Sequence, residues 1–135
     1  MKELLITGAW RCGEQQVQAL EQMGYAVTFW LDERQAVNMD TQRFEAVICG
    51  GLFLTTPIER FPALKCIQVT SAGLDRVPLD YCKAHGITVY NAGGVYSAPM
   101  AEFVVGGILQ LYKEQVFCRK SSSAPVGEAP RSAGT

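Results

Sequence analysis

The chain has 135 residues, of which 48% are hydrophobic and 19% charged, and its formal net charge is −1. This length and composition suit one globular domain with a real core. Lysine and arginine are scattered, which argues against a nucleic-acid surface, and no apolar run reaches the roughly 20 residues of a membrane span.

The cysteines and the single histidine limit the metal and redox chemistry. Five cysteines are irregularly spaced and form no C-x-x-C pair, and the first residues show no secretory cleavage site. We therefore expect reduced, mostly buried thiols and a cytoplasmic location. A single histidine, His85, excludes a histidine-rich metal site, and we expect no metal centre.

The first half of the chain alternates between strand and helix patterns. A buried strand is predicted at residues 4–7, followed by a helix at 13–23 that Gly24 ends. A second strand is predicted at 26–31. Residues 32–43 are polar and weakly periodic, so they fit a short helix or a loop.

The alternation continues to a long helix. Strands are predicted at 46–49 and 64–70, then a short helix at 79–85 closed by Gly86 and a strand at 87–90. The last helix should run from about residue 98 to about 118, with Pro99 in its first turn.

This element order predicts an α/β fold of the flavodoxin-like type. Its five-stranded parallel sheet should have the order 2-1-3-4-5, with helices on both faces and the long helix near the C-terminal end. Ligands bind beyond the carboxyl ends of such strands. Small residues collect at four of these ends: Gly8, Gly50-Gly51, Ser71-Ala72-Gly73 and Gly93-Gly94. Each could be only a tight turn, but together they favour a site lined by backbone.

The strand ends also exclude several functions that use this fold. A phospho-receiver needs an aspartate after the third strand and a lysine after the fifth, where Cys49-Gly50 and Asn91-Ala92 stand. No serine- and threonine-rich flavin loop, phosphatase Cys–Arg loop or P-loop is present. There is also no G-x-G-x-x-G, so a dinucleotide is not bound in the Rossmann manner.

Two segments together resemble a known family. They are Ser71-Ala-Gly-Leu-Asp75 and the stretch from Asn91 to Glu102 that enters the long helix. Their order and spacing are similar to those in the substrate-binding domain of the D-isomer-specific 2-hydroxyacid dehydrogenases, the group that includes phosphoglycerate dehydrogenase. The similarity covers most of residues 1 to about 118. It implies NAD- or NADP-linked, reversible oxidation of a small D-2-hydroxy acid to a 2-keto acid.

The resemblance implies roles for the strand-end residues. The backbone N–H groups of Ala72 and Gly73, called the shelf below, would hold the substrate carboxylate as an anion nest. Asp75 would brace this turn through Asx-type hydrogen bonds. Leu52 and Phe53, after the third strand, would roof the substrate.

The resemblance also implies roles for the start of the long helix. Tyr96 would lie beside the substrate. Ser97, Met100 and Ala101 would face the nicotinamide end of the cofactor. The helix itself would form a homodimer, with Gly106 and Gly107 allowing close backbone approach.

The catalytic parts of the family are not found in these residues. In the family, the catalytic Arg, Glu and His and the G-x-G-x-x-G motif lie in a second domain downstream of the long helix. His85 precedes that helix, so we assign no catalytic residue and expect the chain alone to be inactive and to bind no cofactor tightly. The alternative is a non-catalytic carboxylate-binding or dimerisation module, and the DNA beyond Thr135 would discriminate between the two.

The expected organisation is a substrate-binding domain at 1–120 followed by a tail at 121–135. The tail is rich in Ser, Pro and Gly, a composition typical of disorder. The tail could be a linker. A reading-frame slip, a simple truncation or a scar of cloning would each also explain its composition, with the dinucleotide-binding domain absent.

Overall fold

Five parallel strands form one sheet in the computed structural model, which describes residues 1–113. The sheet order is β2-β1-β3-β4-β5, and each neighbouring pair is parallel. The predicted α/β class, parallel sheet and strand order are therefore confirmed. The strands are β1 (Lys2–Thr7), β2 (Tyr25–Trp30), β3 (Ala46–Cys49), β4 (Cys66–Val69) and β5 (Thr88–Tyr90).

Three α-helices accompany these strands: α1 (Glu14–Gln22), α2 (Leu79–Ala84) and α3 (Ser97–Tyr112). Gly24 and Gly86, the predicted helix stops, have φ angles of 91° and 67°. Only glycine adopts this left-handed conformation without strain, so it ends both helices.

Some predicted elements differ from the structure or lie beyond it. Residues 32–43 form a loop without a helix, and two short 3₁₀ turns, Leu52–Leu54 and Ile58–Arg60, were not predicted. The predicted end of the long helix near 118, Cys118 and the tail at 121–135 lie outside the described residues. The chain divides into two compact units, Met1–Val95 and a second that begins at Tyr96.

The core of the first unit lies against one face of the sheet. Leu5, Val47 and Ile67 are aligned across the three central strands and are almost completely buried. Alternate strand residues point to the same face, which explains why these positions share one environment. The side chains that cover this face come from the loop, the two 3₁₀ turns and α2, and include Val37, Phe44, Leu52, Ile58, Phe61 and Cys82.

The four cysteines among residues 1–113 are free thiols. Cys49 and Cys82 are buried, whereas Cys12 and Cys66 are only half-buried, fewer buried thiols than expected. Burial, and then the nearby Glu33 carboxylate, raise the pKa of the Cys49 thiol to about 12. Cys49 is therefore protonated at neutral pH, and a protonated thiol is a poor nucleophile.

None of the helices in the described part of the chain combines the length and the apolar character that a bilayer span requires.

Candidate functional site

The turn after β4 is braced by the end of β5. The Asn91 side-chain amide donates a hydrogen bond to the Ala72 carbonyl (2.9 Å), and the Ala92 backbone N–H donates to the Ser71 carbonyl (2.9 Å). The Ser71 hydroxyl donates to the Gly73 carbonyl (2.9 Å). These bonds fix the carbonyl side of the turn and leave its N–H side available.

The two shelf amides are free donors. Within residues 1–113, neither the Ala72 nor the Gly73 N–H donates to any acceptor, and both residues are exposed. Successive backbone N–H groups at a turn attract an anion, because each carries a partial positive charge. This arrangement can bind one carboxylate through two backbone hydrogen bonds.

Asp75 does not brace the shelf as predicted. No described residue donates a hydrogen bond to its carboxylate, and Ser71 and Asn91 provide the bracing instead. Asp75 does limit residue 73, because a Cβ at Gly73 would lie 3.0 Å from the Asp75 Oδ1. This contact is with the end of a flexible side chain, so an alanine there would require only a small shift of Asp75.

Leu52 and Phe53, the two residues predicted to cover the substrate, differ in burial. Leu52 is 0% exposed and packs in the core, so its side chain cannot line a ligand in this arrangement. The reason is the 3₁₀ turn, which directs Leu52 inwards and leaves Leu54 69% exposed. Phe53 is half-buried and packs edge-on against Phe61, with ring centroids 5.9 Å apart.

Glu33 is the residue of this edge that the sequence analysis missed. Its carboxylate accepts hydrogen bonds from the Thr7 hydroxyl, the Gly50 N–H (2.8 Å) and the Gly51 N–H (2.6 Å). The amides at the end of β3 are thus bound by the protein itself. The sequence did hold a signal for this contact: an acidic residue lies just after β2 and a Gly-Gly pair lies after β3. Because the carboxyl ends of β2 and β3 lie at the same edge of the sheet, these residues could be expected to meet.

Gly8, another of the glycine-rich strand ends, also has a structural role. Its N–H donates to the Trp30 carbonyl (3.1 Å), and a Cβ at Gly8 would lie 2.0 Å from the Leu31 carbonyl oxygen. Gly8 is therefore required by the close approach of two backbones. Of the four predicted strand ends, only the one at Ala72 and Gly73 shows a pair of exposed, unused amides.

The residues predicted to face the cofactor belong to the second unit, which is described by itself. Tyr96, Ser97, Met100 and Ala101 are all exposed, and Pro99 lies in the first turn of α3 as predicted. The apolar atoms of Met100 and Ala101 suit the flat face of a nicotinamide ring. The turn after β1 does not suit the phosphates of a dinucleotide, because Trp30 already accepts the Gly8 N–H.

Across residues 1–113, no group of three or more His, Cys, Asp or Glu side chains could hold a metal ion.

Comparison with known proteins identifies the family. Residues 5–128 match the D-isomer specific 2-hydroxyacid dehydrogenase family, catalytic domain. The chain belongs to this family. The resemblance found in the strand-end motifs is thereby confirmed for most of the chain.

Two plant members of the 2-hydroxyacid dehydrogenase group are similar in sequence. Glyoxylate/hydroxypyruvate reductase HPR3 of Arabidopsis thaliana is 34% identical over 68 residues, which are 50% of this chain and 21% of that protein. Glyoxylate/hydroxypyruvate reductase A HPR2 of the same plant is 29% identical over 103 residues, which are 73% of this chain and 33% of that protein. The chain thus spans a third or less of the length of these relatives.

Solved structures of the family share the fold. An NADPH-dependent glyoxylate/hydroxypyruvate reductase from Sinorhizobium meliloti, in complex with NADP and malonate, matches with a TM-score of 0.66 and 21% identity, over 96% of this chain and 41% of that one. D-Lactate dehydrogenase from Aquifex aeolicus, complexed with NAD and lactic acid, matches with a TM-score of 0.63 and 21% identity, over 90% of this chain and 38% of that one.

Proposed function

We propose that this chain provides the carboxylate-binding part of a D-2-hydroxyacid dehydrogenase site. The observation that carries the proposal is the pair of exposed, unused amides at Ala72 and Gly73. Family membership supports it, and the relatives act on or are bound to small acids: glyoxylate and hydroxypyruvate reductases, and a lactate dehydrogenase with lactic acid. The substrate class is a small 2-hydroxy or 2-keto acid.

In this proposal the chain binds and orients the acid. Ala72 and Gly73 hold its carboxylate, and Phe53 excludes water beside it. The role of Tyr96 beside the substrate stays a prediction from the family resemblance. NAD or NADP, when bound, supplies or accepts the hydride, and Ser97, Met100 and Ala101 face its nicotinamide. We place the reaction in the cytoplasm, because free thiols such as Cys49 and Cys82 persist there.

We propose further that these 135 residues bind the acid but do not reduce it. Hydride transfer to a keto group needs a proton donor at the carbonyl oxygen, and the family's Arg, Glu and His are not among them. The cofactor's phosphates likewise have no glycine-rich βα turn to bind. The boundary of this carboxylate-binding domain stays a prediction at residue 120.

Titration with glyoxylate tests the shelf directly. The ¹⁵N-labelled chain should show amide shifts first at Ala72 and Gly73, at roughly tens of millimolar, because only part of the site is present and binding loses entropy. Adding NADPH to the same sample should give no oxidation.

Methyl glyoxylate is the matched control, because it keeps the carbonyl and lacks the charge. It should leave both shelf amides unchanged. Absence of glyoxylate shifts between residues 71 and 75, or equal shifts with the ester, would contradict carboxylate binding at the shelf. NADPH oxidation would contradict the proposal that these residues do not reduce the acid.

A dimerisation module is the second candidate, and α3 favours it. Val104, Val105 and Ile108 are 58%, 55% and 51% exposed, and Phe103 and Leu111 are more exposed still. So large an exposed apolar surface on a helix is typical of an interaction site. We propose that α3 pairs with a second copy of the chain, a role compatible with the shelf.

Replacing Ile108 with glutamate should dissociate such a dimer. A carboxylate buried in an apolar interface without a partner costs several kcal/mol, enough to lower association by a factor of about 1,000. Sedimentation velocity would show the wild type as a dimer and Ile108→Glu as a monomer. Gln110→Glu adds the same charge at a polar position of α3 and should have little effect. A monomeric wild type at high concentration would argue against the dimer.

A further inference from the structure

Glu33 joins three strand ends of the sheet. It follows β2, and its carboxylate reaches the Thr7 hydroxyl at the end of β1 and both amides that follow β3. Its own carbonyl accepts the Thr55 hydroxyl (2.6 Å), which holds the backbone of Glu33 against the 3₁₀ turn. Main chain and side chain are therefore both fixed.

The Gly50–Gly51 amide pair has the same chemistry as the shelf. Both are successive N–H groups just beyond neighbouring parallel strands, β3 and β4. Hydrogen bonds from backbone amides to an ionised carboxylate are about twice as strong as those to a neutral acceptor. Without Glu33, this pair would be a second place for a small carboxylate to bind.

The two places are close to each other. A Cβ at Gly50 would lie 3.2 Å from the Glu33 Oε2 and 3.5 Å from the Thr70 Oγ1, and Thr70 lies just before the shelf turn. If the carboxylate of a keto acid could bind at either amide pair, the carbonyl carbon of the acid would lie in two different positions. Hydride transfer needs one position, because the reacting atoms must be aligned.

We propose that Glu33 is a positioning residue, which fills the Gly50–Gly51 amide pair so that a substrate carboxylate can bind only at Ala72 and Gly73. That Glu33 fills the Gly50–Gly51 amide pair rests on the observed hydrogen bonds. That it thereby directs the substrate carboxylate to Ala72 and Gly73 rests on the proposed function. Glu33 touches no substrate; it acts through the amides that it occupies. It also favours a small residue at position 50, where a Cβ would lie 3.2 Å from the Glu33 Oε2.

Hydrogen exchange of the wild-type chain tests the occupancy without any variant. The Gly50 and Gly51 amides should exchange at least about tenfold more slowly than those of Ala72 and Gly73, because only the former are hydrogen-bonded. Equal exchange of the two pairs would overturn the proposal.

Glu33→Ala tests whether an external carboxylate takes the vacated place. Acetate should then shift the Gly50 and Gly51 amides of the variant and leave those of the wild type unchanged. A residue that only stabilised the fold would not create an acetate site. Glu59→Ala is the matched control: Glu59 is exposed, and its removal should leave Gly50 and Gly51 insensitive to acetate.

Glyoxylate separates the two proposals. In the wild type it should shift only the shelf amides, and in Glu33→Ala both pairs. If the variant binds neither acetate nor glyoxylate at Gly50 and Gly51, the positioning role is wrong. If the wild-type shelf does not respond to glyoxylate, the proposed function fails, while acetate binding by the variant still supports Glu33 as the occupant of its amide pair. The exchange measurement decides the occupancy even where Glu33→Ala does not fold.

Discussion

Replacing Gly8 with alanine is expected to lower the free energy of unfolding by about 3 kcal/mol or more. The new Cβ would lie 2.0 Å from the Leu31 carbonyl oxygen, far inside van der Waals contact. That oxygen belongs to the backbone, so no rotamer change relieves the clash. The chain at Gly8 cannot move away without losing its hydrogen bond to the Trp30 carbonyl.

Urea unfolding followed by circular dichroism measures this loss. Gly13→Ala is the matched control in the same unit, since a Cβ there would approach only the flexible Gln16 side chain, 3.0 Å away. Gly13 is the N-cap of α1, so its replacement should cost less than about 1 kcal/mol. A Gly8→Ala chain that unfolds at the wild-type urea concentration would show that β1 and β2 do not approach so closely.

Leu52→Ala should destabilise the chain by about 2–5 kcal/mol, whereas Leu54→Ala should change stability by less than about 0.5 kcal/mol. The two leucines lie in one 3₁₀ turn and differ in burial, at 0% and 69% exposed. Truncating Leu52 removes buried methyl groups and leaves a cavity among core side chains. Truncating Leu54 removes atoms that already contact water.

The same urea experiment measures both variants and tests whether the Leu52 side chain is packed in the core. Leu54→Ala and the wild type should also bind glyoxylate with equal affinity if Leu54 lies away from the shelf. Equal destabilisation by the two truncations would mean that the turn is not ordered with Leu52 inwards.

The sheet could be predicted because its signals are local. Each strand is a short apolar run, α1 and α2 each end next to a glycine, and the alternation of strands and helices leaves few topologies. Gly24 and Gly86 were predicted as helix stops because their positive φ angles follow directly from the end of a helix. Residues 71–73 were noticed for a similar reason, as a run of small residues after a strand. The role of Ala72 and Gly73 came from the family resemblance and stays a prediction.

The errors concern contacts between distant residues. In Leu52-Phe-Leu54 the sequence offers two identical side chains, and only tertiary packing decides that Leu52 is buried. Glu33 lies in a polar loop without periodicity, and its partners Gly50 and Gly51 are distant in sequence. Asp75 was predicted as the brace from the family resemblance, whereas Asn91 is brought to the turn by the pairing of β4 with β5.

The hydrogen bonds that brace the shelf turn also affect how strongly the shelf N–H groups can donate to an anion. The Ala72 N–H shares its peptide group with the Ser71 carbonyl, and that carbonyl accepts a hydrogen bond from the Ala92 N–H. Likewise, the Gly73 N–H shares its peptide group with the Ala72 carbonyl, which accepts a hydrogen bond from the Asn91 side-chain amide. A bond accepted at one end of a peptide polarises the group and makes its N–H a better donor. The coupling is reciprocal, so a carboxylate on the shelf tightens the bonds from residues 91 and 92 in turn. In the proposed complex, occupancy at the end of β4 would thus be transmitted to the end of β5 through peptide dipoles.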